Sequence, residues 1–454
     1  LSGLVKHKLN KDMEAIEFLK KINEKIPEVY FLMANAYENL LKYDKALHYL
    51  DESIKTESLF WQGHFNKGLI FMIKKKNFVE AEKSFKKVIQ IKPENFDAEF
   101  YLGNLAAHYD LKIAEKHYRK VVSFNPGHKK ARAELGKILL FNGELNKGWS
   151  ECKVELDYLE KVYPENIKNI PIWNGKNPEN QKLLIFREQG LGDEILYASC
   201  YKEIIDKTKK CFFVVEDRLV NLLKNSFPKA EFLSEKEFSK HTDLSKILPT
   251  ARIQNCMLPM YLRKTLNDFP KQKSYLVADK NKKEIWKKKL SKDSKGKLKI
   301  GIAWSSGSNN LNQVENKGIL SPVQFNLKDW EIFLSINNIF IVNLMYKNVK
   351  KEIDCSKIKN KIKTYNDLNL KDDIDNDAAL ISNLDVVISA QTWIGDFASA
   401  LGAEVLKFHN KYSFTRLGQK NIPWNNSKVF DMKNGNWKDT FKLIKSLLNK
   451  RVVK

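Results

Sequence analysis

The sequence predicts a solenoid of paired helices followed by an α/β region with two parallel sheets. Three observations predict it. A pattern of small residues returns about every 34 residues through the first 150. Three prolines and five asparagines then interrupt the helical pattern between Tyr163 and Gln181. Beyond that strip, short apolar runs alternate with helical stretches, as parallel sheets covered by helices require.

The repeat shows first in Ala46, Ala81, Ala114 and Gly148, which stand 35, 33 and 34 residues apart. Each precedes a larger residue by four: Leu50, Phe85, Tyr118 and Cys152. Some twelve residues before each comes another small one: Ala34, Gly68, Gly103 and Gly136. Two short helices cross closely only where both carry small side chains, and a large residue one turn on fills the space beside the crossing. Pro93 and Pro126 close two repeats, Ser58 takes that place in another, and Ala15 belongs to a leading partial repeat. Each helix pair leaves an apolar face that only its neighbour can cover, so the pairs stack. Tyr37, Phe71, Phe85 and Tyr118 read as packing inside that stack.

The strip 163–181 cannot be a continuous helix, because Pro164, Pro171 and Pro178 lack the donor a helix needs. Trp173 within it implies packing on the following domain. Lys182–Arg187 reads as a buried strand, Ile195–Ile205 as a helix, Cys211–Val215 as a strand, Arg218–Asn225 as a helix and Ala230–Leu233 as a third strand. A lysine-rich surface helix and linker, 279–297, leads to a second set. Its strands are Leu298–Ala303, Ile339–Leu344, Val386–Ser389 and Glu404–Phe408, with helices over 327–336, 377–382, 393–401 and 437–448. The expected domains are therefore 1–162, a linker 163–181, a first sheet domain 182–278, a linker helix 279–297 and a second sheet domain 298–454. Ligands are expected where strands end, in a cleft between the two sheets.

Length and composition bound the rest. A chain of 454 residues, 43 % hydrophobic, exceeds one core and suits three. No run approaches 18 uncharged apolar residues, so no spanning helix is expected. The first ten residues lack a signal-type apolar run, although the chain begins without Met and an upstream segment stays open. Five cysteines, at 152, 200, 211, 256 and 355, form no CxxC pair and have no histidine at ligand spacing. That argues against disulfides and structural zinc, and fits a reducing, cytoplasmic compartment. The net charge is +24, yet only eight of the 79 basic residues are arginine. Nucleic-acid readers lean on arginine forks. The balance argues for a lysine-rich surface over a nucleic-acid partner, with peripheral contact to a membrane surface left open.

Three loops could carry chemistry. Glu188, Gln189, Gly190, Leu191, Gly192 and Asp193 form a glycine turn between a strand and a helix. Glycine permits a tight bend and close ligand approach. Asp193 could cap the helix, or take a proton from an acceptor hydroxyl. The turn lacks the third glycine of a dinucleotide fingerprint and the GK[ST] of a phosphate loop. Gly301–Ser308 places Trp304, Ser305 and Ser306 at a strand end, where amides and hydroxyls could hold phosphate. Ser389–Gly395 ends another strand, with Gln391, Thr392, Trp393 and Gly395 before a helix whose free amides suit a diphosphate. Capping or an ordinary loop explains each alone; three such loops in tandem sheets say more.

These residues carry a resemblance. The first 150 residues are similar to tetratricopeptide repeats, whose concave face usually holds a peptide or protein. Residues 172–454 resemble two-domain transferases of the glycosyltransferase B fold, the heptosyltransferase-like group, with two Rossmann-like domains. The closest likeness is to bacterial proteins that fuse the two. The matching pieces are Ile172–Gly175, Glu188–Glu194, Gly301–Trp304, Asn343–Tyr346, Asn383–Ser389, Ala400–Gly402 and Ile422–Trp424. The resemblance implies inverting transfer from a nucleotide-diphosphate sugar to a protein or glycan acceptor, without metal or other cofactor. It places the acceptor on the first sheet domain beside Glu188, Gln189, Gly190 and Gly192, with Asp193 as general base. It places the donor phosphates at Trp304–Ser306 and Thr392–Gly395. The late motif departs from the group. Gln391 stands for an Asp, Asp396 for a His and Asp377 for a Thr. A carboxylate at 396 repels a diphosphate unless it points away or pairs with a lysine. His241, His409 and Arg416 are candidate substitutes for the lost positive or polar group. An inactive transferase fold serving as a scaffold or adaptor is the alternative to an enzyme, and a polyanion binder is a third.

Overall fold

The computed structural model describes residues 2–24, 26–153, 165–187, 190–241, 244–305, 323, 325–433 and 436–452. Its contacts divide the chain into two units between Leu135 and Gly136. The sequence puts the end of the repeats at residue 162. The contact boundary falls earlier, within the helix of the last repeat.

The first unit holds α1 (Ser2–Lys20), α2 (Pro27–Asn39), α3 (Tyr43–Thr56), α4 (Trp61–Leu69), α5 (Phe78–Ile91), α6 (Phe96–Ala106), α7 (Leu111–Phe124) and the start of α8 (Lys129–Phe141). The small residues do what their spacing implies. A Cβ on Gly68 would lie 2.8 Å from the Phe85 ring, and one on Gly103 would lie 2.6 Å from the Tyr118 ring. Ala46, Ala81, Ala114, Phe85 and Tyr118 are all buried, as is Tyr37, and Phe71 packs half-buried beside them. Side-chain caps start three helices: Asn77 accepts from Glu80 N–H, Asn95 from Ala98 N–H, and Asp110 from Lys112 and Ile113 N–H. The interval from Gly68 to Ala81 is one residue longer than that from Ala34 to Ala46. A π-helical turn at Ile70–Lys75 follows α4 and takes up the extra residue, ending at Lys76 with φ +53°.

The second unit begins with the rest of α8 and with α9 (Leu145–Cys152). A Cβ on Gly136 would meet Cys152 Sγ at 2.6 Å, so this hairpin obeys the same packing rule. It belongs to the sheet domains through Trp149, whose indole donates to Arg263 O at 3.1 Å and lies edge-on to Trp424.

The strip before the first sheet packs as expected. Trp173 is buried, its N–H donates to Arg252 O, and Arg252 N–H donates to Pro171 O, both at 2.8 Å. The first sheet contains β1 (Lys182–Phe186), β2 (Lys210–Val215), β3 (Glu231–Ser234) and β4 (Ala251–Gln254), in the order β3-β2-β1-β4, all parallel. Helices α10 (Leu191–Tyr197), α11 (Tyr201–Lys207) and α12 (Val220–Ser226) belong to it. Strand β4 was not expected, because Arg252 and Gln254 occupy two of its four buried positions.

The linker helix is α13 (Lys280–Ser294). The second sheet contains β5 (Leu298–Ala303), β6 (Ile339–Asn343), β7 (Ile362–Lys363), β8 (Val386–Ser389), β9 (Val405–Phe408) and β10 (Lys428–Phe430), in the order β10-β9-β8-β5-β6-β7, again parallel. Its labelled helices are α14 (Ile374–Ile381), α15 (Trp393–Ala400) and α16 (Lys438–Val452). Leu327–Ser335, expected as a helix, is a 3₁₀ segment that a capping box between Asn326 and Asp329 opens. Apolar residues of both sheet domains, Leu183 and Ile185 with Val387 and Ile388 among them, belong to one buried cluster. The architecture is the class the sequence predicts, helical repeats and then an α/β region with two parallel sheets.

Candidate functional site

The glycine turn and the late helix meet. A Cβ on Gly192 would lie 2.9 Å from the Cβ of Trp393, so only glycine lets α10 approach α15 this closely. Asp193 is not the helix cap: Gly190 is the N-cap residue, and Asp193 sits inside the first turn with its N–H bonded to Gly190 O at 3.1 Å. Among the described residues no hydrogen bond reaches its carboxylate. Burial raises its pKa above the usual carboxylate range, and the negative Asp396 nearby raises it further. A base strengthened in this way suits removal of a hydroxyl proton near neutral pH.

The next residue, Glu194, points into the protein. It is buried, lies 3.1 Å from Arg187 Nε, and accepts from Glu216 N–H. Burial carries its pKa up to about 7 in spite of Arg187. Arg187 also pairs with Glu216 and Glu235, so this network braces the strand end from which the turn leaves.

Asp396 is the departure that threatened donor binding, and it is neutralised. Lys407 on β9, 1 % exposed, places its ammonium 2.6 Å from Asp396 Oδ2. Asn425 donates to the other oxygen at 3.1 Å. A lysine in a fully buried strand position is costly unless paired, and this pair supplies the partner. The stem of Lys407 passes under Gly395, where a Cβ would lie 3.3 Å from Lys407 Cδ and 3.1 Å from Ser389 Oγ.

The other late residues divide between support and lining. Gln391 Oε1 accepts from Val323 and Asn410 N–H, which ties two loops together. Thr392 is the N-cap residue of α15 but makes no capping bond; its buried hydroxyl lies 3.0 Å from Ser389 Oγ instead. Trp393 is half-buried, with its ring 5.6 Å from Tyr346 and 5.5 Å from Phe397. Trp304 is wholly buried and donates to Glu352 at 3.0 Å, so its indole supports the strand end and does not line a surface. Ser305 is buried beside it. Glu188, Gln189 and Ser306 lie outside the described residues.

The candidate substitutes are engaged elsewhere. Arg416 is buried, paired with Asp431, and donates to Gln419 O and Lys420 O. His409 is buried at the end of β9, and burial together with Lys407 lowers it to about 3, so it is neutral. The side chain of His241 lies outside the described residues. Lys407 is the group that answers Asp396, and residue-by-residue reading passed over it because it sits in an apolar run, Val405–Phe408.

A cavity of about 610 Å³ opens at the carboxyl ends of β6 and β7, lined by Asn343, Met345, Tyr346, Thr364, Tyr365 and Asn369 among others. The sequence had singled out Asn343–Tyr346 as a matching piece without assigning it a place. Tyr346 connects this cavity to Trp393, and Trp393 connects it to Gly192, which precedes Asp193. Among the described residues no helix is long and apolar enough to cross a membrane, and no cluster of ligands suits a metal ion.

Comparison with known proteins gives three findings. The tetratricopeptide repeat model matches residues 27–58 and 62–95. Protein FlbA of Caulobacter vibrioides is 29 % identical over 304 residues, which are 63 % of this chain and 49 % of that protein. The chain thus spans about half the length of the curated relative it matches. Among solved structures, similarity extends to YrrB, described as a TPR protein with an unusual peptide-binding site, at 20 % identity and TM-score 0.29, over 43 % of this chain and 89 % of that one. It also extends to the E. coli ADP-heptose lps heptosyltransferase II, at 10 % identity and TM-score 0.42, over 59 % of this chain and 99 % of that one. The chain joins tetratricopeptide repeats to an α/β region of two parallel sheets.

Proposed function

We propose that the second unit is a glycosyltransferase that moves a sugar from a nucleoside-diphosphate donor, with inversion, and that the repeats recruit a protein partner or acceptor. The observation that carries this is the run of contacts from Asp193 through Gly192, Trp393 and Tyr346 to the cavity at the ends of β6 and β7. A carboxylate with a raised pKa stands at one end of that run and a polar cavity of about 610 Å³ at the other.

In the reaction, Asp193 takes the proton of an acceptor hydroxyl. The oxygen forms a bond to the anomeric carbon from the face opposite the donor phosphate. The bond from that carbon to the phosphate oxygen breaks, and the nucleoside diphosphate leaves with the electron pair. Charge grows on the leaving oxygen, and the amides of the first turn of α15 are the donors best placed to meet it. The pairing of Asp396 with Lys407 keeps that turn free of an uncompensated negative charge.

The test is a panel of nucleoside-diphosphate sugars with the full chain, with donor hydrolysis and transfer both measured. Asp193→Asn is expected to lower the rate by roughly 10²–10⁴-fold while nucleoside-diphosphate affinity by calorimetry stays within about twofold. No turnover from any donor, with no effect of the substitution, ends the enzyme reading. A second reading, an inactive fold acting as an adaptor, draws on Gln391, whose amide oxygen is fully used between two loops. Absence of nucleoside-diphosphate binding would favour it.

A further inference from the structure

A feature that the proposed reaction does not use lies on α13 and at the amino ends of the second sheet's strands. Residues 280–299 hold ten lysines against Glu284 and Asp293, and so carry eight of the chain's +24. Helix α13 supplies most of them. Trp286, Leu290 and Ser294 form its buried side. The lysines fall into two groups. Lys282, Lys287, Lys289 and Lys299 pair with Asp373 and Asp375, Glu284, Asp367 and Asp385 respectively. Lys280, Lys283, Lys288, Lys292, Lys295 and Lys297 have no ion pair with a described residue.

The unpaired group continues into a cavity. Its volume is about 740 Å³, and Lys295, Lys297, Lys299 and Arg451 line it with Asp385 as the single acid. Asn338 and Asp385, which also line it, immediately precede β6 and β8. The cavity therefore opens at the amino ends of the strands, away from the carboxyl ends that the proposed reaction uses.

We propose that α13 and this cavity form a docking surface for the anionic face of a lipid bilayer. The shape and chemistry favour a bilayer over a single phosphate or a nucleic acid. A fifteen-residue helix presents charge over roughly 22 Å, further than one phosphate reaches. Ile285 lies on its exposed side, 64 % accessible, one and two turns from Lys288 and Lys292. An apolar side chain among lysines can enter the boundary between headgroups and acyl chains while the ammonium groups meet anionic headgroups. Nucleic-acid surfaces combine basic groups with exposed aromatic platforms or arginine forks. This helix has no arginine, and its one aromatic residue, Trp286, is buried. The surface would hold the second unit at a membrane by the amino-end side of this sheet, leaving the carboxyl ends of its strands facing elsewhere. The proposal stands independently of sugar transfer.

The experiment is co-sedimentation of the full chain with vesicles of three parts phosphatidylcholine to one part phosphatidylglycerol, and with phosphatidylcholine alone, at physiological ionic strength. Binding is expected to the anionic vesicles only. A triple variant, Lys288→Glu with Lys292→Glu and Lys297→Glu, is expected to weaken it at least about tenfold without shifting the thermal midpoint. A control with the same total charge change in the repeats, Lys87→Glu with Lys116→Glu and Lys130→Glu, is expected to bind as the parent does. Equal loss in the control would assign the effect to net charge and overturn the proposal. So would unchanged binding by the first variant, equal binding to uncharged vesicles, or tighter binding of a single-stranded oligonucleotide that the same lysines control.

Discussion

Both units use glycine to let two helices touch, but over different distances along the chain. In the repeats, Gly68 meets Phe85 and Gly103 meets Tyr118, partners fewer than twenty residues away. In the sheet domains, Gly192 meets Trp393, two hundred residues on and in the other Rossmann-like half. The first arrangement repeats with a period and serves stability. The second occurs once and brings a carboxylate to the first turn of another domain's helix. Charge follows the same division. The side-chain ion pairs of α3, α5 and α7, such as Lys86 with Glu82 and Arg119 with Glu115, include exposed neighbours one turn apart. The pair of Lys407 with Asp396 is buried and joins a strand to a helix.

The comparison predicts where substitutions hurt. The largest effect on stability is expected from Lys407→Met, which strands Asp396 in a largely buried setting and costs about 3 kcal/mol, read as a shift in the urea midpoint. Adding Asp396→Asn should restore most of the loss. If the double variant is no better than the single, the pair is not what holds β9 to α15. Lys83→Met, which breaks an exposed pair with Glu80, should cost less than about 0.5 kcal/mol by the same measure.

Asp377 gives the next effect, and it depends on pH. It is fully buried in α14, both its oxygens lack a partner among the described residues, and burial with Asp373 nearby raises it to about 8. Its folded value lies above the unfolded one, near 4, so between these values the folded state keeps a proton that the unfolded state releases. Stability therefore falls as pH rises from about 4 to about 8 and levels off beyond. Asp377→Asn is expected to remove that slope and to stabilise the protein at pH 8 by up to about 5 kcal/mol. A parent whose denaturation midpoint is flat over this range would show that Asp377 is served by a partner.

Gly103→Ala is expected to cost about 1–3 kcal/mol in the repeats, because its methyl group would press on the ring of Tyr118. Transfer to a small acceptor by the second unit should be unaltered. A matching loss of transfer would mean that the repeats support the catalytic unit and not only its partners.

The same contrast explains what could be read in advance. The repeat was legible down to single residues, because each small residue and the ring that covers it lie within one local unit. The insertion at Gly68–Ala81 was visible only as a length, and the π turn that absorbs it needed coordinates. Among strands, the apolar runs of β1, β2, β5, β6, β8 and β9 announced themselves. Strands β4, β7 and β10 did not, because two to four paired residues leave little pattern and Arg252 interrupts the first of them. In the site, Asp193 and Trp393 stood out at strand ends, but nothing local linked them. Trp304, Gln391 and Thr392 were expected at a ligand, whereas their side chains are occupied by Glu352, by two backbone amides and by Ser389.

By itself the sequence determined the helical repeats, the order of the elements, the parallel α/β class and the three loops at strand ends, because each is set by residue periods or by turn chemistry within a few positions. Only the tertiary structure decided that Gly192 touches Trp393, that Lys407 answers Asp396, and that a cavity follows Tyr346. Those depend on which distant surfaces the closed chain brings together, and no local pattern encodes that choice.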